Sequence, residues 1–369
     1  MNKKKRILQA NINNQGGAFS VAYEAQKNLQ EEFVFDYFFP DDFVKNEVYN
    51  HLLSMGSRCV GKLNSRSRFL KQYYIYKSFY QYLIHNNYDA VHIHADTSWK
   101  IAVYYLAATR AKVKKVIVHS HSSGVNGHYR IFNYLLHRLF KPLIKNAKYR
   151  CACSEVAANW MFDTTDNVSV IRNGVDISKY RYNSDSRTNV RRKYGIESQK
   201  VVIGSISDFS FQKNPEFIFK IVKEFAQSGN YVFLFVGNRP SGCKLKTMIE
   251  SHPEIQNVIF AGSVANVQDY LSAMDVFIMP SRFEGLPMSA LEAQVNGLYT
   301  LVSNNISRET KCSSKFYSLN FNVKDWKQLI EKFDYKQDRK DLSYFLDVDK
   351  ATSSNMSNCF KSIYLRKLE

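Results

Sequence analysis

The stretch Ser281–Ala293 reads SRFEGLPMSALEA and sets two glutamates, Glu284 and Glu292, eight positions apart. The residues just before it, Val276–Met279, are a short apolar run that reads as a buried strand. Pro287 suits the first position of a helix, because its φ is preset and its missing N–H has no partner there. A strand thus turns at Gly285-Leu286-Pro287-Met288 into a helix expected over 287–296. The amides of such a turn point out of a helix N-terminus, a setting that favours a phosphate. Glu284 stands before the turn, and Glu292 about one and a half turns inside the helix at 3.6 residues per turn. Carboxylates only accept hydrogen bonds, and two oxygens can serve two adjacent hydroxyls. The spacing therefore suits sugar hydroxyls at Glu284, a diphosphate at the turn and a ribose diol at Glu292. The competing reading is a helix whose early glutamates simply complement its dipole.

Outward from this stretch, short apolar segments alternate with amphipathic ones, the pattern of a parallel α/β sheet. Strands are expected near residues 6–12, 32–39, 90–94, 115–119, 149–153 and 168–171, with helices over 18–30, 67–86 and 129–145. The polar run SKYRYNSDSRTNVRRK after Asn173-Gly174-Val175-Asp176 reads as a linker. A second alternating set follows it, with strands near 201–206, 231–236, 257–261, 276–279 and 299–302. A length of 369 residues suits two domains. They are placed at 1–178 and 179–345, with a helical tail at 346–369 expected to pack back on the first. Ligands in such sheets sit at the carboxyl ends of the strands.

The formal charge of +18 is uneven: residues 1–150 hold 23 Lys or Arg against 9 Asp or Glu, and the remainder 28 against 24. The first half is the part that feels an anionic partner. Six cysteines without a CxxC pair fit neither a disulfide framework nor a zinc site, so reduced, cytosolic thiols are expected. The apolar part of the basic start is too short for a signal peptide, and no run of about 18 apolar residues reads as a membrane span. P-loop, nucleophile-elbow and G-x-G-x-x-G signatures are missing, as is any recognisable nucleic-acid module.

The two glutamates and their context resemble the E-x7-E motif of the retaining glycosyltransferases of family 4. The lead-in VIFAGSVANVQDYLSAMDVFIMP, Val258–Pro280, is similar to that family's, with Gly262, Asp275, Pro280 and Ser281 at matching places. So are IRNGVD with Asn173, CSEVAANWM with Ser154, and the pair Gly16-Gly17 in the first loop. The resemblance covers nearly the whole chain and lies nearest the capsular and exopolysaccharide branch. It implies the GT-B fold, two Rossmann-like domains facing each other across a cleft. It also implies transfer, with retention, from a nucleotide diphosphate sugar to a saccharide acceptor, lipid-linked in this reading. Lys213 and the turn Gly285–Met288 would stabilise the diphosphate, Glu292 would hold the ribose, Glu284 would orient the sugar, and Gly16, Gly17 and Asn173 would line the donor. A histidine of the HSH type would face the donor sugar; His119 takes that place, with His121 as the alternate.

One position departs from the family. The usual G-R-x4-K-N becomes GSISDFSFQKN, keeping Lys213 and Asn214 but putting Asp208 where the clamping Arg stands. An anion about 4 Å from a diphosphate, at an effective dielectric of about 20, is repelled by roughly 4 kcal/mol. Asp208 thus keeps a second reading open, a non-catalytic partner subunit; an epimerase on the same fold is a third. The pairs His92/His94 and His119/His121 could hold a metal but lack a carboxylate partner. No metal or cofactor is expected, since lysine and a helix dipole replace one. The basic segment with Arg58, Lys62, Arg66 and Arg68 leads into the aromatic run 69–83, which suits a membrane interface. The expectation is a cytoplasmic protein held peripherally on the anionic inner face of the membrane.

Overall fold

In a computed structural model the described residues are 4–61, 70–127, 129–238, 243–335, 339–340, 343–346 and 349–366. The chain divides into two compact units, residues 1–174 with 353–369, and residues 175–352. The division thus falls at Gly174, ahead of the expected 178, and the returning tail begins at Ser353.

The first unit holds seven strands: β1 Lys5–Ala10, β2 Phe33–Phe38, β3 Cys59–Val60, β4 Ala90–Ala95, β5 Val116–Ser120, β6 Tyr149–Ala152 and β7 Val168–Val170. Their spatial order is β3-β2-β1-β4-β5-β6-β7, all parallel. Most strand residues are apolar, as burial on both faces demands, with Gln9, Asp36, His92, His94 and His119 among the buried polar exceptions. One face carries the helices Lys71–Ile84 and Ser98–Arg110, packed through Ile75, Phe79, Ile101 and Tyr104. The helix Ser353–Leu365 packs with the helix Gly16–Leu29, and its Tyr364 ring stands 5.5 Å from Phe33 and 5.7 Å from Phe35.

The second unit holds β8 Val201–Ile206, β9 Tyr231–Val236, β10 Val258–Gly262, β11 Val276–Met279, β12 Tyr299–Ser303 and β13 Phe316–Leu319. Their order is β10-β9-β8-β11-β12-β13, again parallel. In each unit the order reverses beside the first strand, between β1 and β4 and between β8 and β11. Such switch points leave a crevice outside the strand ends.

The expected linker is a correction. SDSRTNVRRK forms a helix, Ser184–Lys193, inside the second unit. It is fixed by ion pairs from Arg187 (2.7 Å) and Arg191 (2.6 Å) to the buried Asp275, which also accepts the N–H of Val202 at 2.8 Å. Three further helices, Glu47–Ser54, Ser98–Arg110 and Glu155–Phe162, and the strands β3 and β13 were not expected from the sequence. The aromatic helix begins at Lys71 and turns Ile75, Phe79 and Leu83 into the core, leaving Tyr73 and Tyr74 exposed. Lys62, Arg66, Arg68 and Phe69 of its basic lead-in lie outside the described residues.

Candidate donor and sugar sites

In the second unit the loops that follow β8 and β11 meet at the switch point. Lys213 Nζ lies 2.6 Å from Glu284 Oε1, and Gln212 Nε2 donates to Glu284 Oε2 at 3.0 Å. Both members of the ion pair are largely buried. A buried ion pair holds only when its remaining oxygens are also satisfied, and Gln212 does that here. The sequence contained Gln212 beside Lys213, but only the fold shows what it touches.

The two loops are tied together at several points. Arg282 N–H donates to Gln212 O at 2.7 Å, its Nε to Phe211 O at 3.1 Å, and its guanidinium lies 4.5 Å from the Phe211 ring centre. Arg282 also pairs with Glu216 at 2.9 Å. These contacts make Arg282 a structural tie between the two loops. Phe209 and Asn214 both take left-handed backbone, φ 51° and 57°, an uncommon conformation outside glycine. Phe209 is held there by burial, its ring 5.5 Å from Phe235. Gly237, at φ 134°, lets the loop cross the end of β9: a Cβ there would lie 1.9 Å from Ser207 O.

Asp208 is exposed, and its Oδ1 accepts the N–H of Ser210 at 3.1 Å. The carboxylate is thus turned onto its own loop. The helix after the turn runs Met288–Val295 with Pro287 as its N-cap, so it begins one residue later than expected. Leu286 and Glu292 are buried, Glu292 in the second turn of that helix. Gly285 and Met288 complete the turn.

In the first unit, Gly16 and Gly17 open the helix Gly16–Leu29 on the exposed surface, Gly16 with φ 80°. Asn173 is buried at the last turn of this unit's main segment. A cavity of about 390 Å³ lies at the carboxyl ends of β1, β4 and β5, lined by Asn11, His94, Asp96, Trp99, Lys100 and His121 among others. Lys100 and Asp96 pair across one turn at 2.8 Å.

The histidines correct the expectation for His119. Alternation along β4 and β5 puts His92, His94 and His119 on one sheet face, and that face is roofed by the C-terminal helix. His119 is completely buried, with the Phe360 ring 5.8 Å away, so it does not line the cavity; His121 does. The four rings form one hydrogen-bonded chain. His121 Nε2 and His94 Nδ1 are 2.7 Å apart, and His94 Nε2 and Gln9 Oε1 are 2.7 Å apart. Gln9 Nε2 donates to Tyr364 Oη at 3.2 Å, Tyr364 Oη and His92 Nδ1 are 2.8 Å apart, and His92 Nε2 and His119 Nδ1 are 3.1 Å apart.

Gln9 Oε1 can only accept, so His94 carries its proton on Nε2 and accepts on Nδ1. His121 must then carry its own proton on Nε2. Tyr364, having accepted from Gln9, donates to His92. Burial pushes His121 down to about 4 and holds His92, His94 and His119 well below the ordinary imidazole range, with mutual repulsion adding to it. The rings are neutral, and each has one donor and one acceptor nitrogen. Ligand nitrogens of His92, His94 and His119 cluster within 4.8 Å. Their hydrogen bonds to one another, to His121, to Gln9 and to Tyr364 already occupy all but His119 Nε2. Nothing in the sequence pointed to Gln9 or Tyr364; they lie hundreds of positions apart.

Comparison with known proteins gives the family and the fold. Residues 16–179 match the family model described as Glycosyltransferase Family 4, and residues 186–340 match the one described as Glycosyl transferases group 1. Together the two matches span most of both units. The chain belongs to the family 4 glycosyltransferases. Among family members, it is 23 % identical over 369 residues to the capsular polysaccharide biosynthesis glycosyltransferase CapH of Staphylococcus aureus, covering 96 % of each chain. It is 25 % identical over 236 residues to an Escherichia coli UDP-Gal:alpha-D-GlcNAc-diphosphoundecaprenol alpha-1,3-galactosyltransferase, 62 % of this chain and 60 % of that one. The chain thus spans about three-fifths of the length of that relative. Anabaena HepE, solved in complex with UDP and glucose, superposes with a TM-score of 0.70 at 16 % identity, covering 97 % of this chain and 95 % of HepE. At that identity the likeness is one of fold, the two Rossmann-like units of GT-B.

Proposed function

We propose that this family 4 protein transfers a sugar, with retention, from a nucleotide diphosphate sugar to a hydroxyl of a lipid-linked saccharide in the synthesis of a cell-surface polysaccharide. The observation that carries the reading is the buried Lys213–Glu284 pair at the switch point, beside the turn that opens the helix Met288–Val295.

As the glycosidic bond breaks, negative charge grows on the leaving diphosphate. Lys213 and the N-terminal end of the helix Met288–Val295 would stabilise it, a preorganised field that costs no rearrangement during reaction. Glu284, fixed by Lys213 and Gln212, would orient hydroxyls of the donor sugar. Glu292 would accept from the ribose. Gly285, Leu286 and the Pro287 cap would shape the turn, and Gly16, Gly17 and Asn173 would line the donor from the first unit. His121, in place of His119, would offer the unprotonated Nδ1 of a neutral ring to a sugar hydroxyl. No metal is required, because the lysine and the helix supply the positive field. One relative is named for a diphosphoundecaprenol acceptor and one fold neighbour was solved with UDP, which supports donor and acceptor classes of this kind. The strongly basic first unit supports a place at the anionic inner membrane surface.

The experiment is thermal stabilisation of the purified protein across nucleotide diphosphates and their sugars, with Glu292→Ala beside it. A ligand that binds the folded state raises its stability in proportion to ln(1 + [L]/Kd). Stabilisation by one nucleotide, lost in Glu292→Ala, is the expected result. No stabilisation by any of them would move the partner-subunit reading, based on Asp208, to the front.

A further inference from the structure

The helix Arg130–Lys145, RIFNYLLHRLFKPLIK, is seated the opposite way round from a helix that packs a water-soluble core. Its inward residues are His137, Lys141 and Ile144. His137 Nδ1 accepts the N–H of Ser98 at 3.0 Å, and its Nε2 donates to Trp160 O at 3.1 Å. The His137 ring stacks on Trp160 at 4.1 Å, and Lys141 pairs with Asp163 at 2.7 Å. The polar side is therefore tied down by specific partners.

The outward side is apolar. Ile131 is 80 % exposed, Phe132 60 %, Leu135 59 % and Leu139 69 %, with Leu143 at 47 %. Positions 132, 135, 139 and 143 fall on one stripe at 3.6 residues per turn. Contiguous apolar surface of this kind marks an interaction site on a soluble protein. Arg138 and Lys145 are exposed along one flank of the stripe. From Thr97 to Ser154 the chain has no acidic residue and eleven Lys or Arg. A protein partner matched to this face would need its own acidic rim. An anionic bilayer supplies both an apolar layer and a sheet of negative charge. An apolar stripe with a basic flank is the form of a helix that lies in a membrane interface. At 16 residues it lies on the bilayer and does not cross it.

We propose that the outward face of Arg130–Lys145 is the membrane-docking surface of this protein, with Phe132, Leu135 and Leu139 entering the acyl boundary and Arg138 and Lys145 meeting anionic headgroups. The proposal rests on the reading of a lipid-linked acceptor and names the surface that would bring the first unit to it. The surface differs from the segment 58–83 that the sequence alone favoured for this role.

The test is flotation with vesicles of phosphatidylglycerol and phosphatidylcholine, against vesicles of phosphatidylcholine alone. It is run on the whole chain, on Leu135→Ser/Leu139→Ser and on Arg138→Glu/Lys145→Glu. The substituted side chains are exposed, and the nucleotide-induced rise in melting temperature reports on each variant in the same samples. The expected result is binding to the anionic vesicles only, weakened by salt. Loss of two leucine contacts with the acyl layer should weaken it at least about tenfold, and charge reversal similarly. Wild-type protein that ignores anionic vesicles, or a leucine variant that floats like wild type, overturns the proposal. A wild-type dimer in solution that the leucine variant dissociates, without vesicle binding, overturns it in favour of a second copy. Vesicle binding with no nucleotide response would instead sink the transferase reading and leave the docking surface standing.

Discussion

Lys213 Nζ and Glu284 Oε1 lie 2.6 Å apart across 71 positions of sequence, and this pair closes the junction between the loops after β8 and β11. Lys213→Met removes the cation that lies 2.6 Å from the buried Glu284 carboxylate. Breaking such a pair costs up to about 3–5 kcal/mol when fully buried. Since Lys213 is partly accessible, a loss of about 1–3 kcal/mol in urea unfolding is expected. Sugar transfer should fall about 100-fold or more, the scale for removing one preorganised charge donor. Glu284→Gln keeps the volume and should lower turnover with a smaller stability loss. Equal activity in both variants and wild type would remove the pair from the mechanism.

Asp208→Arg restores a cation where the family has one. The carboxylate is exposed and turned to Ser210, so solvent screens it and the full Coulomb term does not apply. Calorimetry with UDP should show binding tighter by about 1 kcal/mol, a factor of about five. Weaker binding would mean that the family's arginine position does not face the phosphates in this chain.

Gly237→Ala places a methyl 1.9 Å from Ser207 O in a backbone conformation that side chains rarely adopt. The crossing of the loop over the end of β9 must open, at a cost of order 1–3 kcal/mol. The melting temperature should drop by several degrees, and nucleotide binding should weaken with it, because the same loop carries Lys213. An unchanged melting temperature would show that the loop can move freely.

Tyr364→Phe removes the only hydroxyl in the chain of hydrogen bonds between Gln9 and His92. It leaves a buried amide donor and a buried imidazole nitrogen unpaired, each worth about 1–3 kcal/mol. NMR of the imidazole nitrogens should show His92, and through Gln9 also His94 and His121, losing their fixed tautomers. Sharp, unaltered resonances would mean that the packing of Phe360 alone sets the rings.

Four buried histidines and the half-buried His121 give the first unit a defined acid response. His92, His94 and His119 lie well below 6.5, and His121 and His137 near 4, because burial penalises the charged ring. Below 6.5 the unfolded chain binds protons that the folded chain does not, so stability is complete above that pH and lost as pH falls toward 4. The slope approaches about 1.4 kcal/mol per pH unit for each such histidine. Urea midpoints at pH 7.5, 6 and 5 should decline progressively more steeply. A midpoint constant across that range would show that the rings are solvated and charged.

The sheet strands were legible because burial on both faces writes them as apolar runs. Val201–Ile206 falls where it was expected, and Val276–Met279 too. The resemblance assigned Lys213 and Glu284 to one donor, but their direct ion pair was not expected. What failed was whatever depends on a distant partner. Ser184–Lys193 buries only Val190 and Arg191 and is held by Asp275, 84 positions beyond Arg191, so its polar composition reads as a linker. Ser98–Arg110 is rich in aromatic and β-branched residues that lower helix propensity. The choice between His119 and His121 could not be made locally, since both lie on one face and Phe360 decides which is covered. The outward face of Arg130–Lys145 was equally hidden, because an amphipathic pattern does not say which side faces the core.

The helix Ser353–Leu365 belongs to the first unit although the whole second unit precedes it in the chain. During synthesis the rings of Phe33, Phe35 and His92 therefore emerge long before Tyr364, the partner of His92 272 positions later. A nascent chain must carry that sheet face uncovered until the helix Ser353–Leu365 leaves the ribosome. The first unit is in this sense the last to be finished. A frameshift or clipping near residue 353 would damage the opposite end of the sequence, turning a lesion at the C-terminus into misfolding and chaperone capture of the N-terminal sheet.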